Sequence, residues 1–76
     1  MPRLKCTFAR FIEIITEHGF VELRHGATSH RRYRGILGGE VRLVDVGYHN
    51  LNDHIPKKTL GSMIRQSGLR KNLFRH

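Results

Sequence analysis

The first apolar stripe along this chain has the spacing of a helix. The side chains that recur every three or four positions are Phe8, Phe11, Ile12 and Ile15. This period predicts an amphipathic α-helix over residues 8–18. The glycine that follows suits the left-handed conformation that is common just past a helix end.

Beyond this helix the apolar period changes to two, as expected for strands. Residues 20–24 alternate, which predicts a first strand with Val21 on its buried face. Residues 29–34 and 40–46 predict a second and a third strand. Three glycines predict a hairpin loop over residues 35–39. Since the connections are short, the strands should form an antiparallel meander.

A second helical stripe follows the strands. Residues 47–55 lack an apolar period and are predicted to form a loop. The stripe consists of Leu60, Met63 and Ile64. It predicts a helix over residues 57–66, and residues 70–76 are expected to form a basic tail.

The chain therefore has the order helix, three strands, helix within one domain over residues 1–76. Each helix must bury one apolar stripe, so we expect both to cover the same face of an antiparallel sheet in an α+β fold. The other face is left to solvent. A domain of this length buries a small core, which favours an open surface site over a deep pocket.

The charge balance narrows the class of partner. Fourteen lysines and arginines stand against six acidic residues, for a net charge of +8. Such a balance favours a polyanion, and nucleic acid is the first candidate because phosphate neutralisation drives its binding. The alternative is a basic surface that only keeps the protein in solution.

Targeting signals are not recognisable in the chain. The N-terminus lacks the apolar stretch of a signal peptide, and no apolar run has the length of a membrane span. Cys6 is the only cysteine, so no intramolecular disulfide forms, as is usual in a reducing compartment. We therefore expect a cytoplasmic protein in which Cys6 packs passively.

The second strand carries the residues best suited to chemistry. Side chains alternate along a strand, so His30, Arg32 and Arg34 should share one face if Tyr33 points into the core. Arg31 would then lie on the helix side and have to reach an edge of the sheet. A histidine can accept a proton near neutral pH, and guanidinium groups can hold a phosphodiester. This set suits cleavage of RNA through its own 2′-hydroxyl; the alternative is a surface histidine on a basic RNA-binding strand.

Metal sites are not predicted. Metal-dependent nucleases need converging carboxylates, whereas the acids of this chain are scattered. The pairs His25 with His30 and His49 with His54 lack a helix that would align them on a zinc ion. We expect neither a metal nor another cofactor.

Three stretches taken together resemble one known family. They are EHGF at residues 17–20, SHRRY at 29–33 and KKTLGSMIRQSGL at 57–69. In this order and at this spacing, the chain resembles HicA-type toxins, the messenger RNA interferases of bacterial toxin–antitoxin systems. The similarity extends over most of the chain, from about residue 8 to residue 69.

The resemblance implies a specific fold and activity. The fold would be like that of a double-stranded-RNA-binding domain, with the order α-β-β-β-α. The activity would be that of an endoribonuclease that cleaves messenger RNA with His30 as the catalytic histidine, and a HicB-type antitoxin would bind and neutralise the protein.

The remaining members of the predicted site follow from charge and position. Arg32, Arg34, Lys57 and Lys58 are expected to bind RNA phosphates, and His49 or His54 to assist catalysis. A non-catalytic double-stranded-RNA-binding module of the same fold remains the alternative. A domain that binds an acidic protein is the third possibility.

Overall fold

The computed structural model describes residues 6–23, 30–48 and 50–74, with His30 described by its backbone alone. The elements in chain order are α1 (Phe8–Glu17), β1 (Val21–Glu22), β2 (His30–Leu37), β3 (Glu40–Gly47), α2 (Lys57–Ser67) and a short 3-10 helix (Lys71–Phe74). The strands form one antiparallel sheet in the order β1-β2-β3. The predicted α-β-β-β-α order is confirmed.

The core lies between one face of the sheet and the two helices. Tyr33, Val44 and Val46 project from this face, called the inner face below, and are at most 3% exposed. They pack in one cluster with the buried stripes of α1 and α2. Both helices therefore cover the same side of the sheet, as expected. No helix among the described residues is long and apolar enough to cross a membrane.

The ends of α1 follow from local chemistry. The Thr7 hydroxyl accepts a hydrogen bond from the Arg10 backbone N–H at 3.1 Å and caps the first turn. Gly19, with φ of 91°, adopts the left-handed conformation just past the helix, where a side chain would be strained. This allows the chain to reverse so that Phe20 enters the core.

The first strand is shorter than predicted, and its orientation differs. It contains only two residues, Val21–Glu22, and the Val21 side chain is 66% exposed rather than buried. Val21 pairs with Arg34 and so lies on the face of the sheet opposite the helices. Phe20, just before the strand, takes the buried position instead. The predicted burial of Val21 is therefore wrong.

The second strand is longer than predicted and includes Gly35. The predicted loop over residues 35–39 is wrong at its start, since β2 continues to Leu37 and only Gly38 and Gly39 form the turn. A Cβ atom at Gly35 would lie 2.8 Å from the Phe20 ring. Gly35 is thus a strand residue that leaves room for an aromatic ring, rather than a turn residue.

The predicted loop over residues 47–55 is tied to the start of α1. The Phe8 and Ala9 N–H groups donate to the carbonyls of Asp53 and Leu51 at 3.1 and 2.9 Å. The Ile55 N–H donates to the Cys6 carbonyl at 2.9 Å. The first two bonds satisfy first-turn donors of the helix, and all three hold residues 51–55 against the start of α1.

The C-terminal segment belongs to the core. Residues 70–76 were expected to form a basic tail, but Lys71–Phe74 is a 3-10 helix and the Phe74 ring is fully buried. This ring stacks on Phe11, with 5.0 Å between the ring centres. The segment through Phe74 is therefore part of the folded domain, and residues 75–76 lie outside the described part.

Candidate nucleic-acid interface

The face of the sheet opposite the helices, called the outer face below, carries two kinds of side chain. Its described members are Val21, Arg32, Arg34, Ile36, Val41, Leu43 and Asp45. The polar pair Arg32 and Asp45 lies toward the start of β2. Four aliphatic side chains cluster nearer the hairpin turn. Arg34 lies among the aliphatic side chains, in the cross-strand row between Val21 and Leu43.

Arg32 forms an ion pair across the sheet. Its Nε donates to Asp45 Oδ1 at 2.8 Å, and both side chains are more than half exposed. This hydrogen bond and the charge of Asp45 raise the pKa of Arg32. Exposed pairs of this kind contribute little to stability. The two terminal guanidinium nitrogens retain donors that can bind a phosphate.

Arg34 is a second exposed cation on the outer face. Within the described part of the chain, no acidic side chain forms an ion pair with it. Its cross-strand neighbours are Val21 and Leu43, both apolar. Its side chain is thus exposed on the outer face, as the alternation along β2 predicts.

Arg31 reaches the edge of the sheet, as its predicted position requires. Its Nε lies 3.3 Å from Glu22 Oε2, and the guanidinium carbon lies 5.3 Å from the centre of the Tyr48 ring. Burial and the Glu22 charge raise the pKa of Tyr33, whereas the hydrogen bond from Arg31 acts to lower it. Arg31 therefore serves contacts within the domain.

The predicted histidines differ in what the structure describes. The backbone of His30 begins β2 and pairs with Gly47, but its side chain lies outside the described part. His49 also lies outside it. His54 is exposed and forms a β-bridge with Thr7 at the start of α1. None of the described contacts of His54 reaches β2.

Lys57 and Lys58 form the exposed first turn of α2. Pro56 precedes them, no side chain caps the helix, and the first turn carries no acid. Gln66 Oε1 accepts from the Asp45 N–H at 3.2 Å, and Gly68 packs against Arg42, so α2 runs opposite to β3. Its first turn is therefore directed toward the end of the sheet at which His30 begins.

Groups suited to other chemistry are scarce in the described residues. Among them, no three His, Cys, Asp or Glu side chains lie close enough together to hold a metal ion. Cys6 is 2% exposed, and burial raises the pKa of its thiol to about 11 despite the Arg10 charge. The thiol thus stays protonated at neutral pH and serves as a packing group.

The aliphatic cluster on the outer face is the feature that the sequence prediction missed. The side chains of Val21, Ile36, Val41 and Leu43 are 45–66% exposed. We call these four residues the apolar quartet. The signal was present in β3, where apolar residues occur at both odd and even positions, so that both faces of the strand are apolar.

The chain matches no protein-family model, no curated protein and no solved structure. A function is therefore proposed from the residues of the outer face and of the first turn of α2, and from the resemblance of three sequence motifs to those of HicA-type toxins.

Proposed function

We propose that the protein is a metal-independent endoribonuclease of the HicA toxin type, acting on messenger RNA. The observation that carries the proposal is the placement of Arg34, an exposed cation on the open face of a sheet whose first central-strand residue is His30. The fold would be of the double-stranded-RNA-binding type. The α-β-β-β-α order and the net charge of +8 support this reading.

The reaction follows from the chemistry of RNA. His30 takes the proton of a 2′-hydroxyl, and the freed oxygen attacks the adjacent phosphorus. The bond from phosphorus to the 5′ oxygen breaks, and that oxygen takes a proton from a second group, for which His49 and His54 are the candidates. The products are a 2′,3′-cyclic phosphate and a 5′-hydroxyl.

Arginines and lysines supply the electrostatic part of the site. Arg32 and Arg34 bind the phosphate and stabilise the charge that builds on it. Lys57 and Lys58 attract a neighbouring phosphate, because an uncapped helix start with two lysines and no acid favours an anion. All four side chains are exposed.

A protein partner accounts for the apolar quartet. Four aliphatic side chains exposed together on one sheet face indicate a surface that another protein covers. A HicB-type antitoxin that contacts this surface would also cover the neighbouring Arg34. The same contact would then shield the hydrophobic patch and block RNA.

The decisive experiment compares the purified wild type with His30→Ala. Labelled RNA is incubated with each protein in the presence of EDTA, and the product ends are determined. We expect wild type to leave 2′,3′-cyclic phosphate ends and His30→Ala to be slower by about 100-fold or more, the usual loss for a missing general base. In bacteria, only wild type should arrest growth and degrade message.

The control is His18→Ala, which removes an exposed histidine at the end of α1. It should cleave RNA like wild type. Equal cleavage by wild type and His30→Ala would exclude His30 as the catalyst, and cleavage that EDTA abolishes would exclude the metal-independent reaction.

The second candidate is a non-catalytic module that binds double-stranded RNA. The lysines at the start of α2 favour it, since such modules contact duplex phosphates through a basic helix end. Tight binding of duplex RNA with steep salt dependence, no cleavage, and loss of binding in Lys57→Gln would support this module instead.

A further inference from the structure

An open pocket lies where both helices end, away from the start of β2. Its volume is about 390 Å³, and it is lined by His18, Leu37, Gly68, Leu69, Arg70 and Leu73. This volume lies in the lower part of the range of roughly 300–1,000 Å³ that is usual for small-molecule sites. The residues of the predicted ribonuclease site do not line it.

The floor of the pocket is aliphatic. Leu37, Leu69 and Leu73 are partly buried against the core and keep some apolar surface toward solvent. Phe74 anchors the 3-10 helix to α1 by stacking on Phe11, and this holds Leu73 in place. The floor therefore forms with the fold and does not require a ligand to order it.

The rim of the pocket is cationic. Arg70 is exposed, and within the described residues no ion-pair partner is assigned to it. His18 Nδ1 lies 2.8 Å from the Ile14 carbonyl. A carbonyl oxygen only accepts hydrogen bonds, so Nδ1 carries the proton and Nε2 is left for another contact.

A further guanidinium lies behind the pocket wall. Gly68 is left-handed, with φ of 72°, and Arg42 packs against it so closely that a Cβ atom there would lie 3.0 Å from Arg42 Nε. That nitrogen is buried and has no hydrogen-bond partner. Arg42 is paired with Glu40 at 3.3 Å, and the lining of the pocket includes no acidic residue.

From this arrangement we infer that the pocket binds a small amphiphilic carboxylate, with an alkyl or aryl body on the three leucines and the carboxylate on Arg70. Guanidinium and carboxylate form paired, charge-assisted hydrogen bonds, which fixes the orientation of the ligand. The leucine floor accounts for the apolar body and the acid-free rim for the negative charge. This inference does not depend on the proposed ribonuclease activity.

Decanoate, hexanoate and decanol are the probes, and two-dimensional amide spectra of the full chain are the readout. Decanoate should shift the amide signals of Gly68 and Leu69 in a saturable way. Each methylene added between hexanoate and decanoate should tighten binding by up to roughly fourfold while apolar surface is being buried. Decanol should bind at least about tenfold more weakly than decanoate, because it lacks the charge.

Matched variants test the role of the arginine. Arg70→Gln should weaken decanoate about tenfold or more, whereas Lys71→Gln, which removes an adjacent exposed cation outside the pocket, should change it less than about twofold. Both variants should keep the wild-type spectrum elsewhere, which shows that they fold.

Four results would overturn the inference, and three of them concern how decanoate binds. They are equal affinity for decanol and decanoate, equal losses in the two variants, and decanoate-induced shifts confined to the apolar quartet. Failure of decanoate to bind at all would do the same. The ribonuclease assay with His30→Ala is independent of each of these results.

Discussion

The two faces of the sheet carry similar residues, but these are buried on the inner face and exposed on the outer face. On the inner face, Val44 is fully buried, whereas Val41, three positions earlier in β3, is 54% exposed on the outer face. Tyr33 packs inward while its neighbour Arg34 projects outward. Burial of the inner-face side chains stabilises the folded domain. The outer face exposes aliphatic and cationic side chains that contribute little to the core, which is why we propose it as a binding surface.

Replacing matched valines should separate the two faces most clearly. Val44→Ala removes two buried carbons and leaves a cavity, so it should lower the free energy of unfolding by about 2–3 kcal/mol. Val41→Ala removes the same atoms from an exposed position and should cost under about 1 kcal/mol. Chemical denaturation of both variants gives the comparison. Equal losses would mean that the outer face is also covered in the free protein.

Replacing two glycines by alanine tests the close contact between β2 and the Phe20 ring on the inner face. Gly35→Ala places a methyl group 2.8 Å from the ring of Phe20, which is 2% exposed, so we expect a loss of about 1–2 kcal/mol in the free energy of unfolding. Gly61→Ala, in the middle of α2, meets nothing within 4 Å. It should stabilise the protein by about 0.5–1 kcal/mol, since alanine favours a helix.

Thermal melting of both glycine variants measures the difference. The two changes should shift the melting temperature in opposite directions. A stabilising effect of Gly35→Ala would contradict the close approach of Phe20 to β2.

Replacing Arg34, with Arg31 as its matched control, should have the smallest effect on stability and a clear effect on RNA binding. Arg34→Gln should change the free energy of unfolding by under about 0.5 kcal/mol, because the side chain is exposed and has no assigned ion pair in the described part. If Arg34 binds a phosphate, affinity for RNA should fall and the slope of log affinity against log salt should decrease by about one.

Arg31→Gln is the control for that experiment. Arg31 contacts Glu22 and Tyr48 within the domain, so its loss should leave the salt slope for RNA unchanged. Identical slopes for wild type and Arg34→Gln would remove Arg34 from the RNA-binding surface.

Local periodicity accounts for the parts of the fold that were predicted correctly. The sequence predicts the helical stripes, the positions of Tyr33 and Arg34 on opposite faces, and the glycine that follows the first helix. Each depends on residues within about one turn or one strand, where backbone geometry fixes which side chains share a face. The same alternation also predicts that the Arg31 side chain must reach an edge of the sheet.

Contacts between distant segments account for the parts that were not. Phe20 makes Gly35 a strand residue, and Phe11 draws Phe74 and the last described residues into the core. These pairs are separated by 15 and 63 positions, and no local pattern encodes them. The candidate site divides in the same way, since the outward direction of Arg32 and Arg34 follows from alternation but the apolar quartet needs the register of all three strands.

The sequence alone thus determined the order of the elements and the direction of the central-strand side chains, because these depend on local geometry. It also determined the strongly basic character of the protein, which depends on composition alone. The tertiary structure alone decided where β2 ends, which face Val21 occupies, and how Leu37, Leu69 and Leu73 meet beside Arg70. Such contacts depend on how separate segments pack around a small shared core, and that packing is settled only when the whole chain folds.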